Sequence, residues 1–77
     1  MTAPTGQPET RLAIARRLVA ESEARCARQT ELMREMIADN HPHAAEVAER
    51  LLVTLEKTRD LMREHLRMEE ERAVGVG

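Results

Sequence analysis

Asp39-Asn40-His41-Pro42-His43 decides the fold of this chain. Between Glu9 and Val74, Pro42 is the only Pro or Gly, so this is the one internal break in a long, uninterrupted run. Asn40 suits the left-handed position that ends a helix. Pro42 suits the first turn of the next helix, where its missing N–H costs nothing, with Asn40 or His41 at the cap. Working outward, the sequence predicts a helix over 8–38, a turn over 39–42 and a second helix over 43–73. Residues 1–7 read as a disordered lead-in and 74–77 as a frayed tail. Pro8 fits a helical first turn, and Glu9 fits the positive end of the helix dipole.

Apolar residues recur at helical spacing on both sides of the break. In the first segment Leu12, Val19, Cys26 and Met33 form one heptad column, and Ala15, Ser22, Gln29 and Met36 form its neighbour. Ile14, Leu18, Leu32 and Ile37 widen the arc. In the second segment Ala48, Leu55 and Met62 form one column, paired with Leu51, Thr58 and His65. Ala44, Val47, Leu52 and Leu66 belong to the same stripe, and Leu61 and Met68 extend one flank. The connection is short, so the two helices are antiparallel neighbours. That register puts Cys26 near Leu55 and Val19 near Met62.

Composition agrees with this reading. Phe, Tyr and Trp are absent, 34% of residues are charged and 42% are hydrophobic. A β-sandwich or barrel needs β-branched and aromatic residues with frequent turn signals, and these are missing. The expected fold class is therefore all-α, an antiparallel two-helix hairpin. Seventeen large aliphatic or Met side chains lie on the two segments. A pair of helices has no enclosed centre in which to hide them, and the stripe on the second helix is broader than one neighbour can cover. Self-association follows as an expectation, most simply a homodimeric antiparallel four-helix bundle, with a tetramer as the larger assembly. The core and interface would use Leu18, Val19, Cys26, Met33, Met36, Leu51, Leu55, Leu61, Met62 and His65. Ser22, Gln29 and Thr58 would be polar register markers along the seam.

Other constellations along the chain are less specific. His41 and His43 offer two imidazoles at the turn, a start for a metal site without a completing cluster. The seam polar groups could line a small-ligand pocket. Arg11, Arg16 and Arg17 lie near the same end of the hairpin as Arg59, Arg63 and Arg67, and could face nucleic acid, but Glu69, Glu70 and Glu71 stand close by. Net charge is −2, with six residues of each sign in 1–40 and six basic against eight acidic in 41–77. That balance provides no electrostatic footprint for nucleic acid. Ala13, Ala20, Ala24, Ala27 and Ala38 line the back of the first helix, as good helix formers or as a flat second contact surface. His65 is followed by Leu66 and lies on the second helix, unlike the exposed His of a phosphotransfer hairpin. No Gly-rich phosphate loop, nucleophile elbow or Glu-x-x-His pair is present. The expectation is a non-enzymatic interaction or regulatory module without a cofactor, whose partner is itself or a further protein. Cys26 would be a free, buried thiol. The lone Cys and the absence of a long apolar run suit a cytoplasmic protein with no membrane span.

The runs Arg17-Leu18-Val19-Ala20-Glu21-Ser22-Glu23, Ala48-Glu49-Arg50-Leu51-Leu52-Val53-Thr54-Leu55-Glu56 and Leu61-Met62-Arg63-Glu64-His65-Leu66 resemble a group of small bacterial helical-hairpin proteins of unassigned activity. The resemblance spans roughly residues 11–67 and implies a short helical hairpin with nothing catalytic. The chain departs from that pattern at Leu18 and Met62, where the group often has His, and at Ser22 and Asn40, where it often has Gly. A site built on those His residues is not implied here.

Overall fold

A computed structural model describes residues 9–75. The chain forms two helices, α1 over Arg11–Ala38 and α2 over Pro42–Gly75, packed against each other. Among the described residues there is no strand.

Each terminus has a local cause. α1 starts at Arg11 because the Thr10 hydroxyl accepts the Ala13 N–H at 3.0 Å while Thr10 itself stays extended. The helix expected from residue 8 therefore begins three residues later; Pro8 lies outside the described residues. Glu9 precedes the cap and reaches forward to Arg17 at 3.0 Å. α1 ends in a Schellman motif. The Asn40 N–H donates to the Ile37 carbonyl and the His41 N–H to the Met36 carbonyl. Asn40 takes the left-handed conformation this requires, with φ 61°. Pro42 opens α2, and the His41 carbonyl accepts the Ala45 N–H at 2.9 Å. At its far end α2 runs through Val74 and Gly75, where a frayed tail was expected; residues 76–77 lie outside the described residues.

The buried positions trace two heptad columns per helix. On α1, Ala15, Ser22, Cys26 and Gln29 are buried, and Leu12, Val19, Met33 and Met36 half-buried. These are the two columns expected from the sequence. On α2, Ala48, Leu55, Met62 and Glu69 form one column, and Ala45, Leu52, Arg59 and Leu66 the other. The second differs from expectation by one residue: Leu51, Thr58 and His65 are exposed. Counting along the antiparallel columns from the turn puts small side chains opposite large ones. Ala45 and Ala48 stand level with Met36 and Met33, and Ala15 and Ser22 with Leu66 and Arg59. This alternation lets helices pack with little void.

The resulting core is thin. Among the described residues the buried apolar ones are Ala15, Cys26, Ala45, Ala48 and Leu52, and no large side chain is completely enclosed. Among the described residues, no helix is long and apolar enough to cross a membrane.

Candidate interaction face

The two flanks of the hairpin differ sharply. On one, charged residues meet across the seam, with Arg63 donating to Glu23 at 2.9 Å. Beside this pair is an open cleft of about 300 Å³, with Cys26 at its base and Arg59 and Glu56 on its wall. Arg59 keeps its stem in the seam and turns its guanidinium out to Asp60 at 3.0 Å, as a long basic side chain can. That hydrogen bond raises the affinity of Arg59 for its proton.

The other flank is apolar. Val47, Leu51, Leu61 and Met68 of α2 are 47%, 50%, 66% and 50% exposed, and Leu32 of α1 is 42% exposed. On α2 these residues alternate spacings of three and four with Ala44, Thr54, Thr58 and His65, which makes a second heptad seam facing solvent. No carboxylate interrupts it. Leu18 and Leu32 stand on the adjoining edge of α1, with the exposed Arg25 between them. Ile37, Val53 and Val74 are also exposed but lie away from this flank.

The expected interface residues fall into two groups. Val19, Cys26, Met33, Met36, Leu55 and Met62 line the seam between α1 and α2, with Leu18 at its apolar edge. Leu51, Leu61 and His65 stand outside it on the exposed face. Of the polar markers, Ser22 and Gln29 are buried, and Thr58 is exposed. The Ser22 hydroxyl donates to the Val19 carbonyl at 2.9 Å, and the Gln29 amide crosses to the Ala48 carbonyl at 3.0 Å. Glu69, one of the three carboxylates expected beside the arginines, has a side chain only 5% exposed. It sits between Arg11 at 3.4 Å and the His65 Nε2 at 3.9 Å. The signal was present in the sequence, because Glu69 lies seven residues after Met62 in the buried column.

The remaining candidates are scattered. His41 and His43 are exposed at the turn, where the His43 Nδ1 lies 4.0 Å from Glu46. Among the described residues no three His, Cys, Asp or Glu side chains gather as a metal site would require. Two of the arginines near the termini face carboxylates: Arg17 meets Glu9 and Glu21, and Arg67 meets Glu64 and Glu71. These contacts hold the Glu9 and Glu64 carboxyls below the usual range. Ala13 is half-buried, and Ala20, Ala24, Ala27 and Ala38 are exposed on the outer side of α1. No protein-family model, curated protein or solved structure matches this chain.

Proposed function

We propose that this chain is a non-enzymatic, self-associating helical module of the cytoplasm, whose exposed seam on α2 and the adjoining edge of α1 bury against a second copy. One observation carries this reading: Leu32, Val47, Leu51, Leu61 and Met68 converge on one flank while the opposite flank is ion-paired. Exposed apolar residues gathered on one face are an ordinary mark of a protein contact surface. The thinness of the internal core supports the same reading, because a second copy supplies the enclosed centre that one hairpin lacks.

Sedimentation equilibrium at micromolar concentration tests it. The expected mass is twice that of the 8.7 kDa chain, or a higher multiple. Leu51→Glu with Leu61→Glu, both at exposed positions, should lower the mass toward a single chain. A natural chain that sediments as a fully helical 8.7 kDa monomer overturns the proposal.

A further inference from the structure

We infer that two copies meet α2 against α2 in opposite directions, with the basic half of each helix beside the acidic half of the other. This rests on the self-association proposed above and specifies the partner's orientation. The exposed seam on α2 is bordered, on the side away from α1, by His43, Arg50, Lys57, Glu64 and Glu71 at seven-residue intervals. The edge is therefore basic toward the turn and acidic toward the C-terminus. Among the described residues Arg50 and Lys57 have no ion-pair partner, while Glu64 and Glu71 share the single cation of Arg67. Free positive charge at one end and surplus negative charge at the other make the edge self-complementary only when reversed.

The pairing can be followed residue by residue. Antiparallel packing sets Leu51 against Leu61 of the second copy, Ala44 against its Met68 and Thr54 against its Thr58. Arg50 then lies beside Glu64 of the second copy, and His43 beside its Glu71, each twice by symmetry. The two Lys57 side chains near the two-fold axis are the only like-charged pair. Parallel packing would instead set this edge of each copy against the opposite border of the other copy's seam, the column of Ala48, Leu55 and Met62, and leave Arg50 and Lys57 facing apolar side chains. Only the antiparallel arrangement gives these charges opposite partners, and charges at flanking positions choose helix direction in coiled coils.

Spin labels distinguish the two directions. His43→Cys and Lys57→Cys are each prepared in a Cys26→Ser background, with sedimentation of the same samples. His43 and Lys57 are fourteen positions apart on α2. At ~1.5 Å per residue the antiparallel pair separates the two position-43 labels by about 40 Å and keeps the position-57 labels within about 20 Å. A dimer with both distances short overturns the orientation, and a dimer with no short distance at position 57 overturns the α2–α2 contact. A monomer overturns the underlying self-association instead. A second measurement keeps Cys26: Arg50→Glu should weaken the dimer about threefold to tenfold at low salt, and Glu64→Arg added to it should restore affinity. Unchanged affinity in the single variant overturns the antiparallel edge.

Discussion

The side-chain amide of Gln29 donates to the backbone carbonyl oxygen of Ala48 across the seam between the helices, at 3.0 Å and in a buried setting. Gln29 thus ties α1 to α2 through a polar contact in a seam whose other side chains are mostly apolar.

Two substitutions separate its hydrogen bond from its volume. Gln29→Ala removes both and is expected to cost about 1–3 kcal/mol in urea unfolding at a fixed chain concentration. Gln29→Leu keeps the volume, and its stability should equal or exceed that of the natural chain, because a buried polar pair is often replaced by apolar packing without loss. Equal losses for both variants would show that the crossing bond contributes more than the packing.

Asn40 sits at φ 61° in the turn. Asn40→Ala keeps a β-carbon in the left-handed region but loses the short polar side chain that eases Asn there, and should destabilise by about 1 kcal/mol. Asn40→Gly relieves the same strain and should leave stability unchanged or slightly raised. Thermal melts of the two variants check this. A higher melting temperature for Asn40→Ala than for Asn40→Gly would contradict the role assigned to the turn.

Glu69 occupies a seam position with one 3.4 Å contact to an Arg11 side chain that is itself 70% exposed. Such a pair recovers little of what burying a carboxylate costs. Glu69→Leu continues the column of Ala48, Leu55 and Met62 and should stabilise the hairpin by about 1 kcal/mol or more at neutral pH. A loss of stability would show that the Arg11 and His65 contacts outweigh the desolvation.

The acid limb of stability has a defined direction. Glu9 is held below the ordinary carboxylate range by its hydrogen bond from Arg17, and Glu64 by its hydrogen bond from Arg67. A carboxyl whose proton affinity is lower in the folded chain favours folding while it is ionised. Its contribution is present above the unfolded value and disappears as pH falls through the folded one. Helicity by circular dichroism should hold from pH 7 to about 5 and decline below about 4. Both sites are exposed, so the effect is small and should shrink further in high salt. Stability that increases between pH 5 and pH 3 would rule these pairs out as contributors.

Much of the hairpin was legible in the residues. Two helical segments with one break, the columns of α1 and the column of Ala48, Leu55 and Met62 all follow from spacing, because local hydrogen bonding and a 3.6-residue repeat leave few alternatives. The choice of the second column on α2 was not legible. Leu51, Thr58 and His65 alternate with Leu52, Arg59 and Leu66 one residue away, and each set mixes apolar with polar side chains. Periodicity cannot rank two such neighbours. Packing against α1 selects the set containing Leu52 and Leu66, flanked by Ala45 and Ala48, because small residues opposite Met33 and Met36 let the helices approach closely. Arg59 is accommodated there because its long stem carries the charge out to Asp60. The column left over faces water, and that choice between adjacent stripes of one helix creates the exposed apolar face of α2.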